Sequence, residues 1–547
     1  MSKNNFKCLS VALALLTSVA SLSFVGCKKE AASKFETPTY QVNALKFEDM
    51  GNYESEVVDG SNSHQGSLEN GMIISPYLTC KINGTDVPVY GARCTGGAHS
   101  FSYVYVENAE KVNLKVELEL CKTRKKVVVL PESRGVTAKM EGRSVKATVK
   151  STGSFSFAFD DKVDRGYTLI VKQRETLSVP DGWTEQVIEP GTYTSEQTAF
   201  TEQNKVYRFK SGKYDLSKVT SAENSILYFE PGTYDISDIN LLSDSTLFAD
   251  YAYFRVNNKV SGSSLESNGT TNVKVLGKSV FDYSAIDMSK DSKSVVNFNG
   301  VENFTFSGVT IINSCSWTYC FTRCSKGKIT DLNGFSYRTF SDGVMLANCH
   351  EVKVTDSFMR TGDDAFEVKS TSTGEGYDIE FSDCHAWNEK AVAFGVIYEM
   401  NYEVHDVKFV DCSVGFNMPT WDVTRAAASI CMCDYEKGNT NYNINFENFE
   451  IYYSKCPAIS ICLHSGTVRD IYFKNFTVTK NYTEFPVYFR FVNTYIGGSP
   501  TENQLCRIQS IYLDNIKVEG KALEIAGIKN SKLAEKLYLD GTLHKGD

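Results

Sequence analysis

Phe340-Ser341-Asp342-Gly343 and Gly362-Asp363-Asp364-Ala365 set one acid 21 residues ahead of an adjacent pair (363 − 342 = 21). The surrounding residues repeat at close to that spacing. In a coil that climbs one turn per repeat, residues one turn apart lie above each other. Three carboxylates remote in sequence would then converge on one surface. Close carboxylates repel, so one of them holds a proton near neutral pH. That separates a general acid from a base, as glycosidic bond cleavage requires. Taken singly, Ser-Asp-Gly and Gly-Asp-Asp read as solvated turns, and an oxygen cluster also suits calcium. The joint spacing, in phase with the repeat, favours acid–base chemistry with no metal and no other cofactor. Neighbouring strand residues point to opposite faces, so presenting both Asp363 and Asp364 needs an irregular corner, for which Gly362 has the backbone freedom.

The repeat that must position these acids is polar–apolar–polar–apolar–polar–Asn/Asp/Gly. It appears as Asn303-Phe-Thr-Phe-Ser-Gly, Glu351-Val-Lys-Val-Thr-Asp, Asp378-Ile-Glu-Phe-Ser-Asp, Asp406-Val-Lys-Phe-Val-Asp, Asn443-Ile-Asn-Phe-Glu-Asn, Asp470-Ile-Tyr-Phe-Lys-Asn and Ser510-Ile-Tyr-Leu-Asp-Asn, with a degenerate copy at Lys328-Ile329-Thr330-Asp331. Aligning Phe304, Ile329, Val352, Ile379, Val407, Ile444, Ile471 and Ile511 gives steps of 25, 23, 27, 28, 37, 27 and 40 residues. Such a period with longer interruptions marks a solenoid whose long steps are protruding loops. Each unit holds β runs and no helix, which predicts a right-handed parallel β-helix over 207–521. A leucine-rich repeat would need regular Leu and Asn at fixed offsets, which are absent. Residues 522–547 form a C-terminal cap, with helical spacing between Ala522 and Leu539.

Ahead of the solenoid the texture differs. Period-2 runs at Val112–Leu120, Lys126–Leu130, Val145–Val149 and Phe155–Phe159 predict an antiparallel β-sandwich over 49–175. Residues 176–206 read as linker and lead-in, so the chain is all-β: an N-terminal β-sandwich, then the solenoid.

Residues 1–27 read as a leader. Lys3 and Lys7 precede an apolar run, and Phe24-Val25-Gly26-Cys27 resembles a bacterial lipobox, implying a lipid on Cys27 and residues 28–48 as tether. A plain secretory signal is the alternative reading. The expected place is the bacterial cell envelope, with membrane contact only through that anchor. The 547 residues carry a formal net charge of −9 and no long basic run, which argues against nucleic acid as partner. Of 16 cysteines, Cys8 belongs to the leader and Cys27 to the lipid site, and the other 14 do not fall in paired metal spacing. Cys349, Cys384 and Cys412 follow β runs and read as buried thiols stacked in successive coils, with Cys320/Cys324 and Cys431/Cys433 open as bridges. Oligomeric state is not encoded in any of these patterns.

The acid spacing, on a solenoid behind a sandwich, resembles the pectinase-like β-helix glycosidases: the family 49 dextranases and isopullulanases, and the related family 28 polygalacturonases. The sandwich order and the stretch Asp383-Cys-His-Ala-Trp-Asn-Glu-Lys-Ala-Val-Ala-Phe-Gly395 look like the dextranase group. The polygalacturonase pattern is incomplete: Gly-His-Gly is missing around Glu389–Ala391, and Arg425-Ala426-Ala427 stands where an Arg-x-Lys clamp belongs. The resemblance implies an inverting hydrolase of an α-linked, dextran-like glycan, with polygalacturonase-like hydrolysis of pectin as alternative. It assigns Asp363 as general acid and Asp342 and Asp364 as the groups that activate water. Lys390 and Arg425 should lie just above the acids and hold sugar, and Trp387, Tyr398, Trp317 and Trp421 offer stacking rings. His385, 21 residues beyond Asp364 (385 − 364 = 21), reads equally as a structural histidine. A polysaccharide lyase, which needs a Lys or Arg base, and a non-catalytic glycan-binding lipoprotein remain as rivals.

Overall fold

The computed structural model describes residues 35–36 and 73–545, apart from 76, 95–96, 164–165, 259–262, 288–294, 372, 389, 419–424, 434–438 and 493–505. The expectations for the leader, Cys27, the tether, Trp421 and Glu389 fall outside the described residues.

Two sheets form the sandwich. One runs Ile73–Ile74, Tyr90–Cys94, Gly97–Val106, Tyr167–Gln173, Gly153–Phe159, Val127–Leu130; the other runs Thr85–Val87, Leu78–Ile82, Leu114–Leu120, Ser144–Val149, Ala138–Glu141. Alternation drives both: Leu114, Val116, Leu118 and Leu120 are buried while the residues between them are exposed. The sandwich departs from the expected antiparallel order at one place, where Tyr167–Gln173 pairs parallel to Gly97–Val106. Between those two strands the chain crosses to the other sheet twice, and Gly153–Phe159, back in the first sheet, pairs antiparallel with Tyr167–Gln173.

Three parallel ladders make the solenoid. One coil comprises His350–Thr355, Phe358–Arg360 and Phe366–Ser370, and the next Gly376–Ser382, His385–Asn388 and Phe394–Met400. Parallel pairing already begins at Thr184–Ile188 on Lys205–Phe209, inside the stretch read as lead-in. It ends on Ala534–Leu539, which pairs parallel to Arg507–Val518, so the C-terminal cap is strand and short 3-10 turns where helical spacing was expected. No α-helix occurs among the described residues.

The repeat motif has a backbone origin. Its first and last positions turn corners: Glu351, Asp356, Asp378, Asp383, Asp406, Asp411, Asn443 and Asn448 all have φ between 49° and 59°. Asn, Asp and Gly tolerate that left-handed region best. The apolar positions point inward and stack on themselves, as in Phe381, Phe409, Phe446 and Phe473, whose successive ring centroids lie 5.0, 4.7 and 5.0 Å apart, close to the spacing of paired strands. One alignment is corrected. Phe304 pairs with Gly327 and Phe306 with Ile329, so the degenerate coil has glycine at its first inward position. A Cβ on Gly327 would meet the Phe304 ring at 2.3 Å; the large ring of one coil fills the space left by the next.

The sandwich covers the outer face of the second ladder. Phe101 stacks on Phe335 at 4.5 Å, Tyr103 hydrogen-bonds Thr310, and buried Trp387 meets His99 edge-on at 5.2 Å. Arg360 Nη1 lies 2.7 Å from His99 Nδ1 and Thr168 Oγ1 lies 2.7 Å from His99 Nε2. A guanidinium only donates, so Nδ1 accepts and Nε2 carries the proton. Burial, with Arg360 beside it, pushes the His99 pKa well down. Lys172 crosses the seam to Asp331 at 3.4 Å and to Asp356. Cys320 and Cys324 are not bridged to each other, and Cys349, Cys384 and Cys412 are buried thiols.

Lys172→Met leaves two seam carboxylates without their shared cation. Asp331 keeps Lys278 at 3.8 Å and Asp356 keeps Arg134 at 3.9 Å, so the loss should fall short of the about 3–5 kcal/mol of a stranded buried charge but still lower the denaturant midpoint; an unchanged midpoint would remove Lys172 from the seam's energetics.

Candidate active site

The acids sit in the turns that lead from the second ladder to the third. Val344 pairs with Phe366, so the coil step here is 22 residues and Asp342 stacks under Asp364, while Asp363 stacks over Ser341. Backbone bonds hold the column: Asp342 O accepts from Thr318 N at 3.1 Å, and Asp364 O accepts from Gly343 N at 2.7 Å. Asp364 N donates to Asp342 Oδ1 at 3.3 Å and to Asp363 Oδ1 at 3.1 Å. The three acids converge as expected. Gly362 serves by space and not by a left-handed φ: a Cβ there would lie 2.1 Å from Arg338 O, so the turn seats directly on the one below.

The site is enclosed, with relative exposures of 3% for Asp342, 6% for Asp363 and 2% for Asp364. Burial therefore dominates their ionisation. Burial, partly offset by Lys369 and reinforced by Asp364, pushes Asp342 up to about 7. Asp363 is driven well above the carboxylate range by burial and then by Asp342 and Asp364. Asp364 is also raised by burial, but Arg425 and Lys369 oppose the shift, and its Oδ1 accepts from Val392 N at 2.7 Å and Arg425 Nη1 at 3.3 Å. Donors favour the ionised form. Asp364 alone accepts from a cationic donor, so the proton is held most readily by Asp363, the most exposed of the three and the one raised by both neighbouring acids.

Arg425 arrives where it was expected, its guanidinium 4.7 Å from the Tyr398 ring centroid. The pairing shift between Val368 and Ser370 is a bulge that turns Tyr398 (φ 64°) toward the acids. Lys390 lies in the turn above, but its Nζ donates to Tyr337 O at 2.8 Å, pinning two turns together. Trp387 is not at the site: it is fully buried in the seam, because the outward face of the second ladder is the face that the sandwich covers. His385 belongs to the same ladder, with Ser413 Oγ 2.8 Å from its Nδ1, and burial lowers its pKa to about 3. Trp317 lies one coil below Asp342, 40% exposed, with Lys369 Nζ 5.3 Å from its ring centroid.

Sequence reasoning passed over Glu367, Lys369 and Asn388. Glu367 and Lys369 alternate with inward Phe366 and Val368 on the third ladder, and that alternation was the available signal. Lys369 Nζ lies 3.1 Å from Glu367 and 3.4 Å from Glu399. Asn388 Nδ2 donates to Asp363 O and Val392 O, and its Oδ1 accepts from the amides of Lys390 and Ala391, so one side chain sets the turn above the acids. Ligand oxygens of Asp342, Asp364 and Glu367 lie within 4.8 Å of one another and could hold a cation, a place where the Lys369 ammonium already supplies positive charge.

Residues 250–422, which include the three acids, match the family model of glycosyl hydrolases family 28; over that stretch the chain carries a glycoside hydrolase domain. No curated protein matches the chain. Among solved structures it is similar to a hyperthermoactive exopolygalacturonase from Thermotoga maritima (15% identity, 60% of this chain and 85% of that one, TM-score 0.47). A family 28 exopolygalacturonase from Yersinia enterocolitica (11%, 72% and 98%, 0.32) and a polygalacturonase from Erwinia carotovora ssp. carotovora (13%, 66% and 98%, 0.32) are also similar.

Trp387→Ala should separate packing from sugar stacking. Emptying a buried Trp site costs about 3–5 kcal/mol, so the melting temperature should fall while KM for any glycan turned over stays unchanged; a raised KM at unchanged stability would restore Trp387 to the substrate site.

Proposed function

We propose that the protein is an inverting glycoside hydrolase acting on an α-linked glycan, with Asp363 as the general acid and Asp342 and Asp364 as the pair that activates water. The observation that carries this reading is the stacking of three buried carboxyls in one cluster, of which Asp364 alone accepts from a cation. Asp363 keeps a proton because burial and two neighbouring acids disfavour its charge, while Asp364 is held by Arg425 and a backbone amide. A protonated acid beside an ionised one is the pairing that protonates a leaving oxygen and deprotonates a water.

A neutral sugar at the cleavage point is favoured. Each cation around the acids already has an oxygen partner: Lys369 with Glu367 and Glu399, Arg425 with Asp364, Lys390 with Tyr337 O. A sugar carboxylate would compete for them against buried acids. The same pairing disfavours a lyase, whose Lys or Arg base must be free to take a proton. The second reading, hydrolysis of galacturonan, is supported by the family 28 match and by Arg425 standing at the first position of the Arg-x-Lys clamp. The envelope location and the lipid on Cys27 stay part of this proposal, as a means of holding the enzyme where its products can be captured.

Dextran, pullulan, α-glucan oligosaccharides and polygalacturonate, with the product anomer followed by NMR, test the reading directly. Expected are reducing ends of inverted configuration without unsaturated products. Asp363→Asn should lower kcat by about 10²–10⁴-fold. It should also raise Tm at pH 7. A carboxyl whose folded pKa is raised gives stability that is present below the unfolded pKa and lost as pH rises through the folded one, and asparagine carries no such loss. The gain should vanish near the unfolded value of about 4. No turnover on any glycan, or full activity in Asp363→Asn, ends the proposal.

Lys369→Met tests the charge balance. Lys369 lowers the pKa of Asp342 and Asp364, so its removal should move the acid limb of kcat/KM to higher pH. A limb that stays in place would mean that the cluster titrates without it.

A further inference from the structure

The sandwich carries a charged surface that the proposed reaction does not use. On the exposed face of the sheet turned away from the solenoid, a groove of about 640 Å³ runs between Leu114–Leu120, Ser144–Val149 and the 134–139 segment. Lys115, Lys139, Lys146 and Lys150 line it, with Glu117 as the one acid. None of these four lysines makes an ion pair among the described residues. Elsewhere on the same face charges are balanced, with Arg143 2.9 Å from Glu119 and Lys81, opposite Glu117, 3.7 Å from Asp86. Arg134, also in the lining, is already committed to Asp383 of the solenoid at 2.8 Å, which fixes the groove wall to the catalytic domain.

Register sharpens the point. Lys139 and Lys146 are directly opposed partners on antiparallel strands, a like-charge arrangement that destabilises a sheet, and Glu117, opposite Lys146 on its other side, is the one acid shared among the four lysines. Concentrating four cations on one face of a chain whose net charge is −9 is a local feature against the global field. The lining has no aromatic side chain, so it lacks the stacking platform a neutral sugar needs. It also has no large exposed apolar group to enter a lipid surface, and it is concave where a bilayer is flat. Its volume suits a short run of sugars.

We propose that this groove binds an acidic, uronate-bearing polysaccharide and so tethers the catalytic solenoid to an anionic glycan matrix. The ammonium groups would take carboxylates along an extended chain, and binding would weaken steeply with salt as counterions are released. The inference goes beyond the reaction and does not depend on its stereochemistry or on the sugar at the cleavage point.

The test uses the full-length chain with Asp363→Asn, so that binding is read without turnover, in affinity electrophoresis through polygalacturonate, alginate and dextran. Retardation by both uronates but not by dextran is expected. Adding Lys139→Gln and Lys146→Gln should weaken it by at least about tenfold, equivalent to 1.4 kcal/mol, at unchanged Tm. Arg143→Gln, outside the groove lining and paired with Glu119, should leave it intact. Absence of retardation by uronates overturns the proposal, as does retardation that survives Lys139→Gln/Lys146→Gln. Equal binding, through the same lysines, of duplex DNA or of vesicles containing anionic lipid would also overturn it by assigning the face to another partner. Because the readout is binding by a silenced chain, failure of the hydrolase reading leaves this result standing, and the reverse holds.

Discussion

The register between Val344–Ala347 and Phe366–Ser370 is the constraint on which the site depends. Parallel strands offer no freedom to slide when both inward and outward positions are specified. Here Phe366 and Val368 must point into the core beside Val344 and Leu346. That sets Asp364 over Asp342 and leaves Asp363 one place back, on the lip of the turn. Asp342 and Asp364 share a column and therefore a field; Asp363 shares the field but is slightly more exposed. The separation of roles among three identical side chains thus comes from packing in the core, one residue away from the chemistry.

Burial gives the cluster its power and also its instability. Five acids, Asp342, Asp363, Asp364, Glu367 and Glu399, gather around Lys369 and Arg425. Desolvation is the first cause of every raised carboxyl among Asp342, Asp363, Asp364 and Glu367. An acid pair in water would ionise fully and have no proton to give. Lys369 prevents the opposite failure, in which all the acids stay neutral and none can act as a base. Its own pKa is pushed well up by Glu367 and Asp342, so its charge persists across the range where the acids change theirs.

Much of this was legible in the sequence, and the failures have physical causes. The motif's Asn, Asp and Gly positions are corners with positive φ, which is why the repeat could be read without an alignment. Its one misalignment, at Ile329, arose because Gly327 occupies an inward position that a Phe304 ring fills from the coil below; residue type alone does not report a cavity filled by a neighbour. The acids were found because their spacing matched the coil. Lys369 was missed because a lysine in a Phe-Glu-Val-Lys run looks like a solvated strand face. Trp387 was taken for a sugar platform because the sequence does not say which outward ladder is covered, and the parallel sandwich strand was missed because alternation is the same in either direction.

The choice of covered ladder follows from composition. Outward positions of the second ladder include Ile312, Phe335, Phe358 and Trp387, all in one cluster with Phe101, Tyr103 and Ile170 of the sandwich, and the polar ones beside them, Arg360 and His385, are partnered by His99 and Ser413. Left bare, such a stripe would be an aggregation surface; covered, it makes the sandwich part of the solenoid's fold and not a loose appendage. The third ladder's outward positions include Cys320, Met345, Glu367 and Lys369, which are buried too, with Lys369 partnered by Glu367 and Glu399. The sandwich therefore docks on one ladder and leaves the next for chemistry, and the turn joining the two is where Asp342, Asp363 and Asp364 lie. A rigid, packed side braces one flank of the turn, which is the arrangement that holds three mutually repelling acids in fixed positions.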